Sequence, residues 1–146
     1  MDLDACAHLI AAPAAVFDAV EDLSTYPRWL GIVGSAEPVD AHVDDAGPAW
    51  QVALQARLGP LVRRKQVRMV RTAHEPLTSV RFERREQDGE THGTWVLSSM
   101  VTPAGDGTDL LVSVHYSGLT WVPGLDRLLR EEAKRAGRRL DALLAD

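Results

Sequence analysis

Four polar or amphipathic residues, Arg71, Arg84, Ser99 and Tyr116, fall in a stretch that otherwise favours burial, interleaved with Trp50, Phe82 and Trp95. A guanidinium in an apolar pocket binds a carboxylate or an enolate, and a tyrosine hydroxyl donates to a carbonyl or acts as a weak acid. Aromatic walls suit flat or polycyclic ligands, whose affinity comes chiefly from area removed from water, about 25 cal/mol per Å2. Each polar residue also has a structural reading. Arg71 and Arg84 can reach the rim and pair with Glu37, Glu86 or Asp126, while Tyr116 can pack in the core and bond a backbone carbonyl. No sharper catalytic pattern competes: the sequence has no Gly-x-Ser-x-Gly elbow and no glycine-rich phosphate loop opening a helix. The five histidines, His8, His42, His74, His92 and His115, are scattered, so no metal site is expected, and no cofactor. Cys6 is the only cysteine, which excludes an internal disulfide and zinc sites built on paired cysteines. It falls in a strand and is expected to serve packing.

The residues that would form this pocket lie in alternating apolar and polar runs between turn signals, from about residue 30 to 118, the pattern of consecutive antiparallel hairpins. Turns at 44–47, 59–60, 75–76, 88–89 and 105–107 separate six strands at 32–43, 49–58, 62–73, 79–86, 92–102 and 109–117, and an N-terminal strand makes about seven. Even-length loops would put paired residues on one face. Closing at Asp88-Gly89 sets Phe82 opposite Trp95 and Val80 opposite Leu97. The Gly105–Gly107 turn sets Trp95, Leu97, Ser99 and Val101 opposite Tyr116, Val114, Val112 and Leu110. Closing at Pro76 adds Arg71, Met69 and Val67, and closing at Gly59-Pro60 adds Val52 and Trp50. All four turns select the same apolar face, so the candidate ligand-binding set is Trp50, Val52, Met69, Arg71, Phe82, Arg84, Trp95, Leu97, Ser99, Val112, Val114 and Tyr116, with Arg71 and Tyr116 the candidates for catalysis.

The opposite face is polar, including Gln51, Gln55, Arg57, Arg64, Arg68, Arg81, Glu83, Arg85, His92 and His115. Arg68 opposite Arg85 would create a positive patch able to meet an anionic partner; the alternative is a solvated face moderated by Glu83 and Glu86. From Pro123 to about Leu144, Leu125, Leu128, Leu129, Ala133, Ala136, Leu140 and Leu143 follow helical spacing, with Glu131 and Arg135 one turn apart. This helix is the natural cover for the apolar face.

The N-terminal block His8–Leu30 completes the plan. Ile10 closes an apolar segment, Pro13 suits a first helical residue, and Val16, Phe17 and Val20 share a helical face. Ser24 and Thr25 can cap or restart a turn, Pro27 interrupts it, and Trp29 and Leu30 supply apolar bulk before Gly31; Trp29 is expected to cap the N-terminal helices or to form part of the cavity entrance, and Trp121 has the same two readings. This order of strand, short helices, hairpins and long helix resembles the START-like superfamily of polyketide cyclases, dehydrases and lipid-transport proteins. The resemblance implies an α+β helix-grip fold: a curved antiparallel sheet of about seven strands around a long C-terminal helix, with two short helices after the first strand. It also implies an apolar cavity for a hydrophobic, lipid-like or aromatic molecule. A cyclase or dehydratase acting on a poly-β-carbonyl chain is the alternative, and an interaction module using the arginine-rich face is a third.

Composition sets the outer limits. A chain of 146 residues without a Pro- or Ser-rich linker fits one domain over 1–146. A formal net charge of −5 gives no reason to expect affinity for nucleic acid. The N-terminus lacks the basic and apolar regions of a secretory signal, no apolar run reaches membrane-spanning length, and the expected compartment is the cytoplasm. The oligomeric state is left open.

Overall fold

The computed structural model describes residues 2–117 and 125–145. Trp121 and Pro123 lie outside the described residues. The elements follow as β1 (Asp2–Leu9), α1 (Pro13–Val20), a 3-10 helix (Leu23–Arg28), β2 (Val33–Val39), β3 (Ala49–Leu58), β4 (Leu61–Glu75), β5 (Ser79–Arg84), β6 (Trp95–Ala104), β7 (Gly107–Tyr116) and α2 (Leu125–Leu144). One seven-stranded sheet has the order β1-β7-β6-β5-β4-β3-β2, antiparallel at every junction. It curves around α2 in the helix-grip arrangement, with α1 and the 3-10 helix following the first strand.

Two hairpins close as the turns require. Gly59 (φ 63°) and Gly105 (φ 58°) take the left-handed backbone at two-residue tips, where a side chain would be strained. They set Trp50 opposite Met69, Val52 opposite Val67, Trp95 opposite Tyr116 and Leu97 opposite Val114.

The other two hairpins differ from expectation, yet each keeps its face. The β4–β5 loop has odd length: Glu75 pairs with Ser79, and Leu77 occupies the left-handed region at φ 63°. A shift between Arg71 and Ala73 absorbs the extra residue, restoring Arg71 opposite Phe82 and Met69 opposite Arg84. Between the tip and this bulge it is His74 that pairs with Val80. In β5–β6, Phe82 lies opposite Leu97 rather than Trp95, and Val80 opposite Ser99 rather than Leu97. The strands stop at Arg84 and restart at Trp95, so Asp88-Gly89 turns inside a longer loop instead of closing the ladder. The displacement is two residues, an even number, so the inward set is preserved.

The short helices also differ in detail. Asp22 caps the 3-10 helix, its carboxylate accepting from Ser24 N at 3.0 Å and Ser24 Oγ at 2.5 Å. Thr25 donates back to Ala19 O at 2.5 Å, satisfying a carbonyl at the end of α1. Pro27 lies within the 3-10 helix rather than interrupting it. Along α2, Leu129, Ala136 and Leu140 are buried, whereas Leu143 is exposed and Leu144 packs against the core in its place. Glu132, not Glu131, binds Arg135, and it also binds Arg139, each at 3.2 Å. A Cβ on Gly137 would stand 2.3 Å from Ala7 Cβ, so the glycine permits close approach of α2 to β1. Cys6 is exposed on β1, which corrects its expected packing role.

Candidate functional site

The inner face of the sheet is apolar from β3 to β7, and its residues separate into three groups. Val52, Met69, Trp95, Leu97 and Val114 surround an interior void together with Leu23, Ile32, Val33 and Leu54. The space among these side chains that can hold the centre of a water molecule is only about 10 Å3. Tyr116 is buried and stacks on Trp95, with ring centroids 5.2 Å apart and planes 20° apart. Val112 is buried on the same face.

A second group is committed to an aromatic and hydroxyl cluster. Phe82 meets Trp50 edge-on at 5.4 Å and Tyr26 edge-on at 5.8 Å, and Tyr26 packs on Trp29 at 4.4 Å. Trp29 is fully buried and belongs to this packing. Tyr26 Oη is 2.7 Å from Val20 O and 3.1 Å from Ser99 Oγ. The phenol has one proton, which the carbonyl requires, so Ser99 donates to Tyr26. Burial raises the Tyr26 pKa above the ordinary phenol value, which keeps that proton in place. Ser99 is therefore engaged in joining β6 to the 3-10 helix. Tyr26 is the main site residue that sequence reasoning missed; the signal was its place beside Pro27, in a turn that the inward face of β6 needed to meet.

The third group stands at one edge. Trp50 and Arg71 line a cleft of about 720 Å3 between the end of α1 and the β2–β3 connection, with Glu21, Asp22, Pro38 and Pro48 among its other walls. Arg71 is half-buried and donates from Nη1 to Glu21 O at 3.3 Å. His74 Nε2 contacts the Glu21 carboxylate at 2.9 Å, and its ring packs against Phe17 at 5.6 Å. The bulge brings His74 to this edge, and no sequence signal marks a bulge. Arg84 is inward by register, but it contacts Glu86 at 3.2 Å, Gly93 O at 3.2 Å and His92 Nδ1 at 3.3 Å. It therefore anchors the 85–94 loop.

The outer face is less positive than its composition suggests. Arg68 forms a two-pronged pair with Asp45, at 3.1 Å and 2.6 Å, with the Asp45 side chain only 2% exposed. These bonds hold Asp45 below the ordinary carboxylate range. Arg68 also donates to Asp40 O at 3.1 Å, fastening the connection that walls the cleft. Arg81 and Arg85 share Glu83, at 3.4 and 3.3 Å. Arg57 and Arg64, with no ion pair among the described residues, border a polar groove of about 490 Å3 shared with Glu132, Arg135 and Arg139 of α2. Asp88, Glu90 and His92 bring possible ligand atoms within 4.8 Å of one another. The cluster is held by its own bonds: Asp88 accepts from Glu90 N at 3.0 Å and lies 2.7 Å from His92 Nε2, and these contacts lower the Asp88 pKa.

Comparison with known proteins agrees with this architecture. The solved structure of a START superfamily protein from Mycobacterium smegmatis is 13% identical, with a TM-score of 0.73 over 99% of this chain and 97% of that one. The protein TTHA0849 from Thermus thermophilus is 17% identical, with a TM-score of 0.72 over 99% and 97%. The ginseng major latex-like protein 151 from Panax ginseng is 12% identical, with a TM-score of 0.70 over 100% and 98%. At such identities the likeness shows the fold. No functionally curated protein matches the chain by sequence. No helix among the described residues is long and apolar enough to cross a membrane. The family described as polyketide cyclase / dehydrase and lipid transport matches residues 4–146, and with the seven-stranded helix-grip fold this shows that the chain belongs to that family.

Proposed function

We propose that this protein binds and carries a hydrophobic small molecule, lipid-like or aromatic, between the sheet and α2. The observation that carries this reading is the interior void, whose described lining of Leu23, Ile32, Val33, Val52, Leu54, Met69, Trp95, Leu97 and Val114 contains no titratable side chain. Affinity there would come from apolar area leaving water, and the unbranched Met69 is suited to reshaping the wall around a guest. Because so little of the void admits water, binding must widen it.

A cyclase-like enzyme working at the edge cleft is the second reading. It is favoured by Arg71, half-buried at the cleft beside Trp50, where its guanidinium could orient a carboxylate or enolate.

Native mass spectrometry of the purified protein, followed by denaturing extraction, tests binding directly. A co-purifying hydrophobic molecule is expected, or saturable one-to-one binding of N-phenyl-1-naphthylamine that weakens when Val114→Phe fills the void. An empty protein that does not bind the probe overturns the carrier reading.

A further inference from the structure

The tip of the β3–β4 hairpin is cationic in a chain whose net charge is −5: residues 57–65 hold Arg57, Arg63, Arg64 and Lys65 and no carboxylate. None of the four has an ion pair among the described residues, whereas Arg68, Arg81, Arg84 and Arg85 on the same sheet each hold a carboxylate. Neighbouring strands do not reach this tip. On one side the last bond is from Gln55 N to Ile32 O at 2.8 Å, and on the other it is from Arg85 N to Arg68 O at 2.9 Å. The register puts Arg57, Val62 and Arg64 on one face and Leu61, Arg63 and Lys65 on the other, so cations surround the tip. Beside the turn, Leu61 is 59% exposed and Val62 46%. Charges on a free strand edge commonly discourage pairing with other chains. That role does not account for two adjacent aliphatic residues left in water at the tip, where a purely repellent edge would be polar. Arg57 and Arg64 also border the groove beside α2, across from Arg135 and Arg139. Its carboxylate, Glu132, is already bound by those two arginines, so the groove keeps an excess of positive charge.

We propose that this hairpin tip docks on an anionic lipid bilayer, with Leu61 and Val62 entering the headgroup boundary and the cations around them meeting the negative headgroups. An aliphatic tip inside a cationic collar matches a surface that is negative at its rim and apolar beneath. A nucleic acid would engage the cations alone and leave both aliphatic chains in water. The rest of the chain is net negative, so repulsion from the same bilayer turns the tip toward it. The docking goes beyond the cavity reading and does not depend on it, since it requires nothing in the cavity.

Co-sedimentation with vesicles of phosphatidylcholine alone, or of phosphatidylcholine with phosphatidylserine, tests this at low and high salt. The protein should sediment with the anionic vesicles and not the neutral ones, and high salt should weaken the association. Arg63→Gln with Arg64→Gln should weaken it about thirtyfold, at about fivefold per cation. Leu61→Ser with Val62→Ser should weaken it about tenfold, through lost apolar insertion. Arg130→Gln with Lys134→Gln makes the same change of charge on the side of α2 away from the groove, and should leave binding nearly unchanged. All six substituted side chains are exposed, so the fold should tolerate each pair, as circular dichroism would check. Failure to sediment with anionic vesicles, or an equal loss from the α2 pair, overturns the proposal. Binding that ignores Leu61 and Val62 also overturns it, because attraction of charge alone would then suffice, as for a soluble acidic partner. None of these outcomes bears on the cavity, whose ligand binding is read separately.

Discussion

The hydroxyl pair between Tyr26 and Ser99 has an asymmetry that mutation can expose. Tyr26 Oη donates to Val20 O at 2.7 Å and receives the Ser99 proton at 3.1 Å, and Tyr26 and Ser99 are 0% and 1% exposed. Ser99→Ala removes one donor but leaves the Tyr26 proton on its carbonyl, so its cost should be about 1 kcal/mol. Tyr26→Phe strands two buried groups at once, the Ser99 hydroxyl and the Val20 carbonyl at the end of α1, and should cost about 2 to 3 kcal/mol. For a chain of this size that corresponds to a fall in Tm of roughly 5–10 °C against roughly 2–4 °C for the serine variant. In the double variant no Ser99 hydroxyl remains to be stranded. Its cost should approach that of Tyr26→Phe alone, leaving a coupling of about 1 kcal/mol in the double-mutant cycle. Guanidinium unfolding of the four proteins at pH 7 supplies all the terms. If Ser99→Ala proves as damaging as Tyr26→Phe, or the two effects simply add, the direction of the hydrogen bond argued above is wrong.

Two further perturbations probe the elements that frame the site. Asp45→Asn should cost about 1–3 kcal/mol at pH 7, because it leaves the mostly covered Arg68 guanidinium without its carboxylate. Since Asp45 has a lowered pKa in the folded protein, its contribution is complete above the unfolded value of 3.8 and is lost as pH falls through the acid range below it. Urea unfolding should show the gap between wild type and variant at pH 7 and a smaller gap at pH 3; a gap that stays constant would remove the ion pair as its cause. Gly137→Ala would stabilise an unconstrained helix by about 1 kcal/mol. Here the new Cβ meets Ala7 at 2.3 Å, so the substitution should instead destabilise by about 1–3 kcal/mol. Ala7→Gly in the same chain should recover most of that loss, and a stabilised single variant in thermal unfolding would refute the close approach of α2 to β1.

How far the site was legible in the sequence depended on which interactions were local. Side-chain alternation has period two, so Met69, Trp95, Leu97, Val112, Val114 and Tyr116 could be assigned to one face from the chain alone. The assignment survived two local differences because both preserve parity. A bulge cancels the odd loop at Leu77, and the β5–β6 offset is two residues. The tip glycines Gly59 and Gly105 identified the hairpins whose registers matched expectation, since a left-handed backbone at a two-residue turn leaves little choice of residue.

Only the tertiary structure decided what each inward side chain touches. Ser99 meets Tyr26 across 73 residues of sequence, Arg68 meets Asp45 across a β-strand, and Arg84 is drawn to the 85–94 loop through Glu86 and Gly93. The sequence by itself determined the plan of strands and helices and the apolar face, because those follow from short-range periodicity and turn stereochemistry. The division of that face into packing cluster, edge cleft and apolar pocket arises from long-range docking of the 3-10 helix and sheet, for which no local spacing carries a signal.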